Sequence, residues 1–305
     1  MTTVALTGAS GFLGRHLGEA LRAAGHEVRA LHRRPTDSGP GVEVVVGDLS
    51  DTGALTRLVE GADAVVHAAA LVRSADAGAL QRVNVDGTCA LLAVCDDVPR
   101  FLQISTAGVH GRPGGKVTEA SRIDPPNAYE RSKVAADLEV ARRRPERSTL
   151  VRPTNVVGVG HPQDPLLRFL GRVAAGRLWA PAAGRTNYVS AAAVADVVVR
   201  LVAWSEPPPV LLVNEGASVL SLAGAGASAL GVPDRARQVP GLVARPVGAV
   251  LRAGAARMFA LHRASMLFDT TDVQTSGPEG LRTPPDALRQ TLDEMVADYR
   301  GRGLL

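Results

Sequence analysis

The sequence has few aromatic residues, few cysteines and almost no lysine. Only 3% of its 305 residues are Phe, Trp or Tyr, which leaves little material for stacking nucleic-acid bases. The two cysteines, Cys89 and Cys95, have neither CxxC nor metal-ligand spacing, so we expect a reducing compartment, no disulfide framework and no metal site. Of the 34 basic residues only Lys116 and Lys133 are lysines, and the net charge of +4 is not gathered into a basic tract. A nucleic-acid partner is therefore not expected.

Long apolar runs and targeting signals are also missing. The chain passes from Met1 through Val4 directly into a glycine motif, without a basic segment or a cleavage site. The uncharged stretch 216–233 is rich in Gly, Ala and Ser and is too weakly hydrophobic to span a membrane. These observations predict a soluble, cytoplasmic protein without a membrane span.

Apolar runs typical of β-strands alternate with helical segments in the first half of the chain. A helical pattern over residues 12–24 separates the first two strands. Strands that are apolar on both faces and alternate with helices are typical of a parallel sheet covered on both sides. The fold class predicted is therefore α/β, a doubly wound parallel (Rossmann) sheet of six or seven strands with a smaller, mixed C-terminal lobe. The predicted strands lie at residues 4–7, 28–31, 42–46, 64–67, 101–104, 149–151 and 210–213.

The pattern becomes less regular after Pro153, which suggests two structural units. We assign residues 1–155, with about 186–214, to a dinucleotide-binding Rossmann domain. Residues of about 156–185 and 215–305 are assigned to a substrate-binding lobe. Within that lobe, residues 235–268 contain no acidic side chain and include several apolar ones, namely Leu251, Met258, Phe259 and Leu261.

A glycine-rich turn follows the first predicted strand. Gly8, Gly11 and Gly14 are three residues apart, between a strand and a helix. In a dinucleotide site the first glycine permits the turn, the second lets backbone N–H groups approach a pyrophosphate, and the third allows close helix–strand packing. The helix N-terminus favours the anion through its free N–H groups and its dipole. The turn therefore predicts a dinucleotide cofactor.

The end of the second predicted strand indicates which dinucleotide binds. An NAD-type site usually has an acidic side chain there to hold the ribose 2′-hydroxyl. This strand ends instead in His32, Arg33 and Arg34. A planar guanidinium can hold a 2′-phosphate with two hydrogen bonds, so we expect NADP in preference to NAD.

Tyr129 and Lys133 are candidates for acid–base chemistry. The chain has only three tyrosines and two lysines, yet these two are four residues apart in a helical run. That spacing places both side chains on one face of a helix. An ammonium beside a phenol lowers the phenol pKa, which would make Tyr129 usable as a general acid or base.

Together these motifs resemble the extended branch of the short-chain dehydrogenase/reductase superfamily, the NAD(P)-dependent epimerase/dehydratase family. The resemblance covers the chain to about Leu201 and includes segments similar to the strand-end and LRPxN motifs of the family. It implies that Tyr129 exchanges a proton with the substrate oxygen, that Thr106 hydrogen-bonds that oxygen, and that Lys133 holds the nicotinamide ribose. It also implies cofactor contacts from Gly8, Ser10, Gly11, Phe12, Leu13, Gly14, Arg33, Arg34, Asp48, Leu49, Ala68, Ala69, Ala70, Asn84, Lys133, Pro153 and Asn155.

Departures from the family pattern narrow the expected reaction. Sugar-nucleotide dehydratases have an acidic pair after the catalytic hydroxyl residue, whereas this chain has Ala107 and Gly108 there, which argues against dehydration. No cysteine lies nearby, which argues against 3,5-epimerase chemistry with a cysteine acid. The segment 188–194 resembles the VxVDDV region of the family, with alanine in place of both acids.

Three functions remain open from the sequence. The leading hypothesis is an NADP-dependent 4-ketoreductase or 4-epimerase of a nucleotide-linked sugar, active as a homodimer, in which Arg152, Arg185 or arginines of the acid-free stretch meet the diphosphate. The tail residues 268–272 and Pro284–Pro285 are similar to those of such sugar enzymes. The first alternative is a reductase of an apolar, steroid-like or flavonoid-like ketone, with the acid-free stretch as the wall of its pocket. The second is a non-catalytic NADP-sensing protein.

Overall fold

The structure is a computed structural model that describes residues 2–36, 39, 41–163, 165–239, 271–283 and 287–305. Most of the acid-free stretch, with its four apolar residues, lies outside the described residues. So do residues 268–270 of the predicted tail and the pair Pro284–Pro285.

Short strands and helices alternate along the described chain. The strands are β1 Thr3–Thr7, β2 Glu27–His32, β3 Val42–Val46, β4 Ala64–His67, β5 Arg100–Ile104, β6 Gly115–Val117, β7 Ser148–Pro153, β8 Asn155–Val157, β9 Trp179–Pro181, β10 Tyr188–Ser190, β11 Val210–Val213, β12 Arg237–Val239 and β13 Thr271–Val273. The α-helices are α1 Phe12–Ala23, α2 Thr52–Val59, α3 Ala77–Leu80, α4 Gly87–Leu92, α5 Ala128–Arg143, α6 Leu167–Ala174, α7 Ala191–Ala203, α8 Val219–Leu230 and α9 Ala287–Gly301. A π-helical segment, Gln81–Asp86, joins α3 to α4, and 3₁₀ turns lie at Ala107–His110 and Glu279–Leu281.

Seven of the strands form one parallel sheet, which confirms the predicted fold class. The strand order is β11-β7-β5-β4-β1-β2-β3. The chain leaves β1 toward β2 and β3 and then crosses to β4 on the other side of β1. Strand order therefore reverses between β1 and β4, and ligands of open α/β sheets bind at the carboxyl ends of strands at such a point.

The core lies on both faces of this sheet because successive side chains of each strand point to opposite faces. Val4 and Leu6 of β1 pack with α1 and α7 on one face. Ala5 of β1 and Val65 of β4 pack with α2, α4 and α5 on the other face. Because helices cover both faces of the sheet, the strand side chains on both faces are apolar, which explains the near-continuous apolar runs in the sequence.

A second apolar core joins the elements after β7. Helices α6, α8 and α9 pack together around Leu170, Leu222, Leu292 and Tyr299. Short parallel pairs, β8 with β10 and β9 with β12, accompany this core, and β13 pairs with β6. The division into a Rossmann domain and a substrate-binding lobe stays an interpretation that these two cores support.

Candidate active site

The glycine turn packs against the end of β4. Gly8 has a φ of +75°, and a Cβ there would be 2.6 Å from the Ala69 backbone nitrogen. A Cβ on Gly14 would be 1.9 Å from the Gly8 carbonyl oxygen, so α1 can approach the turn only because residue 14 has no side chain. Gly11 donates its N–H to the Gly8 oxygen at 2.9 Å and directly precedes α1. The backbone therefore forms a tight cradle directly after β1.

The N-terminus of α1 fits the phosphates of a dinucleotide. Gly11 is the N-cap and has no side chain that could bond the first N–H groups of the helix, which include those of Leu13. Such groups favour an anion. The Ser10 carbonyl accepts from Arg15 at 3.1 Å. The Phe12 ring lies edge-to-face on His161, with 4.8 Å between the ring centroids.

The residues predicted to contact the adenosine part of the cofactor follow β2 and β3. Arg33 and Arg34 are exposed directly after β2. The Asp48 carboxylate is exposed and accepts from the Ser50 N–H at 2.8 Å and the Ser50 hydroxyl at 2.6 Å, and these bonds lower its pKa, with a smaller effect from Arg33. A Cβ on Gly87 would be 2.7 Å from Leu49, so α4 packs closely on that side chain.

His67, at the end of β4, is a structural residue held in its neutral form. The Thr88 hydroxyl donates to the Asn84 carbonyl, so it accepts from His67 Nε2 at 3.0 Å. His67 Nδ1 is then the acceptor for the Thr7 hydroxyl at 2.6 Å. Burial, and next the Lys133 ammonium, lower the pKa of His67 to about 3. The imidazole therefore fixes the strand end from which the half-buried Ala68, Ala69 and Ala70 follow.

Asn84 is a buried residue whose side chain links two segments of the site. Its amide is 1% exposed, accepts from the Leu71 N–H at 2.7 Å, and donates to the Leu71 carbonyl at 2.9 Å and the Ser132 hydroxyl at 2.8 Å. A cofactor contact by Asn84 stays a prediction, and in this structure the amide is buried and paired within the protein. The side chain instead ties the loop after β4 to α5.

Two hydroxyl residues follow β5 and have different surroundings. Ser105 is buried and donates to Asp137 at 2.8 Å. Thr106 is half-buried, and its hydroxyl accepts from the Gly108 N–H at 3.0 Å at the start of the 3₁₀ turn. Thr106 is therefore the one that can reach a ligand at the strand ends.

Helix α5 presents Tyr129 and Lys133 to the same region. The Asn127 side chain caps the helix by accepting from the N–H groups of Tyr129 at 2.9 Å and Glu130 at 3.2 Å. The Lys133 ammonium is buried and donates to the Ile104 carbonyl, at the end of β5, at 2.7 Å. Burial lowers the pKa of Lys133, while Asp137 opposes that shift.

The expectation that Lys133 lowers the Tyr129 pKa is wrong for these surroundings. Burial raises the pKa of Tyr129 well above its usual value, and the carboxylates of Glu130 and Asp137 raise it further. The ammonium is directed to the Ile104 carbonyl rather than to the phenol. Tyr129 is therefore protonated at neutral pH.

A buried polar network behind the site was not predicted from the sequence. Asp137 accepts from Ser105 and from Arg152 Nη2 at 3.1 Å, and Arg152 Nη1 lies 3.4 Å from His110 Nε2. Burial raises the pKa of Asp137, and the charges of Arg152 and Lys133 lower it. One feature of the sequence could have indicated this network: Asp137 follows Lys133 by four residues, so both side chains lie on the same face of the helix.

The candidate arginines for a diphosphate have other partners. Arg152 is 7% exposed and paired with Asp137, so its assignment to a diphosphate is wrong. Arg185 is half-exposed and lies 3.9 Å from Asp272. Pro153 is buried at the end of β7, and the exposed Asn155 donates to the Asn187 carbonyl at 2.8 Å.

A polar cavity of about 430 Å³ lies beside the end of β11. Two carboxylates, those of Glu215 and Asp272, contribute to its wall. In the part of the chain that the structure describes, no group of acidic, His or Cys side chains is arranged to hold a metal ion. The helices described there include none long and apolar enough to cross a membrane.

Comparisons with known proteins agree with this geometry. The sequence profile of the NAD dependent epimerase/dehydratase family matches residues 4–211. Ceramide reductase of Caulobacter vibrioides is 30% identical over 99% of this chain and 96% of its own length. Sterol demethylase protein B of Methylococcus capsulatus is 36% identical over 62% of each chain. The crystal structure of UDP-N-acetylglucosamine 4-epimerase from Bacillus cereus superposes with a TM-score of 0.75, at 18% identity, covering 99% of this chain and 100% of its own.

Proposed function

Because the chain belongs to the NAD dependent epimerase/dehydratase family, we propose that it is an oxidoreductase that reduces the carbonyl of an apolar, lipid-like ketone. One observation carries this proposal. Thr106 follows β5, the Lys133 ammonium donates to the carbonyl at the end of that strand, and Tyr129 precedes Lys133 by one turn of α5. That strand end lies two strands from the glycine turn. An acid, an orienting hydroxyl and a cation thus adjoin a dinucleotide cradle.

The chain supplies proton transfer and orientation in this reaction. NADPH, when bound, supplies the hydride. Tyr129 donates its phenolic proton to the carbonyl oxygen, and Thr106 donates a hydrogen bond to the same oxygen. Tyr129 starts this step protonated, as a general acid must, although its raised pKa makes it a weaker acid than an ordinary tyrosine. Lys133 holds the nicotinamide ribose through N–H groups that the Ile104 carbonyl does not use.

The cofactor proposed is NADP rather than NAD. The family assignment supports NAD(P) binding. The preference for NADP over NAD rests on the two arginines after β2. Arg33 and Arg34 are exposed where an NAD-type site would have an acid. A guanidinium can bind a 2′-phosphate through two hydrogen bonds, which a ribose hydroxyl cannot reproduce.

The proposed substrate is apolar rather than a nucleotide sugar. The relative that covers the whole chain is named a ceramide reductase, and the second is named a sterol demethylase protein. Arg152 is paired with Asp137 inside the protein, which removes one candidate ligand of a diphosphate. Together with the names of the two relatives, this supports a lipid-like ketone as the substrate class.

A nucleotide-linked sugar remains the second candidate. Arg185 supports it, since 44% of its side chain is exposed and a salt bridge of 3.9 Å to Asp272 is weak enough to be exchanged for a phosphate. A redox-neutral 4-epimerase would use the same residues. The non-catalytic sensor is less well supported, because Thr106, Tyr129 and Lys133 are all present. The homodimer and the cytoplasmic location stay predictions.

A substrate panel tests the proposal. NADPH oxidation is followed with a long-chain 3-ketone carrying an amide, a 3-ketosteroid and a UDP-linked 4-keto sugar. We expect turnover of a lipid-like ketone in the wild type, its loss in Tyr129→Phe, and its retention in Tyr299→Phe, whose ring lies in the lobe core. Turnover of the keto sugar alone would move the assignment to the second candidate. Oxidation that is equal in the wild type and Tyr129→Phe would contradict the proposed chemistry.

A further inference from the structure

A carboxylate from helix α5 occupies the space beside the catalytic hydroxyl. Position 108 is glycine, and a Cβ built there would be 3.0 Å from Glu130 Oε1 and 3.2 Å from Thr106 Oγ1. Both oxygens therefore lie within 3.2 Å of one point. The carboxylate therefore lies beside the hydroxyl assigned to the substrate oxygen, and Glu130 directly follows Tyr129 in α5.

One oxygen of this carboxylate is left without a partner. Among the described residues, Glu130 Oε2 is buried and has no hydrogen bond. Burial raises the pKa of Glu130, whereas Asn127, Arg112 and Arg131 lower it. A buried, unpaired carboxylate oxygen is costly, and such an atom beside a catalytic group indicates a partner that arrives with the ligand.

A helix-capping role explains only part of this arrangement. Glu130 is the third residue of α5 after the N-cap Asn127, the position at which a capping glutamate bonds back to the N-cap residue. A carboxylate that caps in this way uses one oxygen. The second oxygen, Oε2, has no partner, and the carboxylate fits beside the turn because residue 108 has no side chain.

We propose that Glu130 is a specificity-determining residue whose Oε2 accepts a hydrogen bond from an O–H or N–H group beside the reacting carbonyl of the substrate. The inference rests on the proposed ketone reduction. Because the Glu130 carboxylate lies beside Thr106, which is assigned to the substrate oxygen, the donor is expected within one or two bonds of the carbonyl carbon. The preferred substrate is therefore an α-hydroxy or α-amido ketone on an apolar chain.

Two ketones that differ by one hydroxyl group test this inference. The probes are 1-hydroxydodecan-2-one and dodecan-2-one, and kcat/KM is measured for each with NADPH. We expect the wild type to prefer the hydroxyketone by about tenfold or more, the effect of one hydrogen bond to a charged group. The ratio should fall toward one in Glu130→Ala and also fall in Gly108→Ala, whose methyl group displaces the carboxylate. Glu139→Gln, which alters a surface carboxylate paired with Arg142 on the same helix, is the control.

Thermal unfolding separates recognition from capping. Glu130→Gln can still cap the helix and removes the buried charge, so we expect its Tm to equal or exceed that of the wild type. A lowered Tm in Glu130→Gln, with the substrate ratio unchanged in Glu130→Ala, would show a structural role only and overturn the inference. Equal kcat/KM for the two ketones in the wild type would overturn it while leaving the proposed function in place. Reduction of neither ketone would overturn the inference, and failure on the 3-ketosteroid and the amide-bearing ketone as well would contradict the proposed function.

Discussion

Replacing Gly14 with alanine tests whether the close approach of α1 to the turn creates the cofactor cradle. The new Cβ would be 1.9 Å from the Gly8 carbonyl oxygen and 2.7 Å from the Gly8 carbonyl carbon. Both are backbone atoms, so a side-chain rotation cannot relieve the clash. Either α1 or the turn must move by about 1.5 Å to restore an ordinary contact of about 3.5 Å.

Gly18 provides a matched control on the same helix. A Cβ at that position would be 3.6 Å from the Leu6 side chain, an ordinary contact. Gly18→Ala should therefore stabilise the protein by about 0.5–1 kcal/mol through helix propensity. Gly14→Ala has the same propensity gain, but overpacking costs about 1–3 kcal/mol, so we expect a net loss of stability.

Urea unfolding and NADPH titration measure the two consequences. We expect Gly14→Ala to lower the unfolding midpoint and to raise the Kd of NADPH at least about tenfold, because N–H groups moved by more than 1 Å no longer align with a phosphate. Gly18→Ala should keep the Kd of the wild type. Unchanged midpoint and Kd in Gly14→Ala, or equal damage in both variants, would refute the reasoning.

Two further predictions concern the cofactor and pH. NADPH should bind at least about tenfold more tightly than NADH, because one bidentate phosphate contact contributes about 1.5–3 kcal/mol. The double variant Arg33→Ala, Arg34→Ala should abolish this difference. Equal Kd values of the two cofactors for the wild type, measured by fluorescence titration, would argue against NADP. Below pH 6.5 the unfolded chain protonates His67, whereas the folded protein does so only near pH 3. This linkage should reduce the free energy of unfolding by about 1.4 kcal/mol per pH unit within that window. His67→Gln should lack that component, and parallel urea-unfolding profiles for the two proteins would disprove it.

The sequence predicted the sheet and the backbone of the site because both depend on local patterns. Apolar runs such as residues 64–67 are buried on both faces, and Gly8, Gly11 and Gly14 show their spacing in the chain itself. The helical spacing of Tyr129 and Lys133 is equally local. The residues that form each of these patterns lie within about seven positions of one another in the sequence.

Contacts between distant segments could not be predicted in this way. The pairing of Arg152 with Asp137 depends on how β7 meets α5, and the Glu130 carboxylate meets Gly108 only through the packing of α5 on the 3₁₀ turn. The direction of the Tyr129 pKa was wrong for a related reason. The spacing to Lys133 was visible in the sequence, whereas the burial that outweighs it was not.

The most direct test of the proposed chemistry is single-turnover oxidation of NADPH by Tyr129→Phe with a ketone that the wild type reduces. The ring still packs without its hydroxyl, so the Kd of NADPH should stay close to that of the wild type. We expect the rate of the reductive step to fall about a hundredfold or more, the contribution of a general acid. An unchanged rate at saturating NADPH would contradict the assignment of Tyr129 as the proton donor and the account built on it.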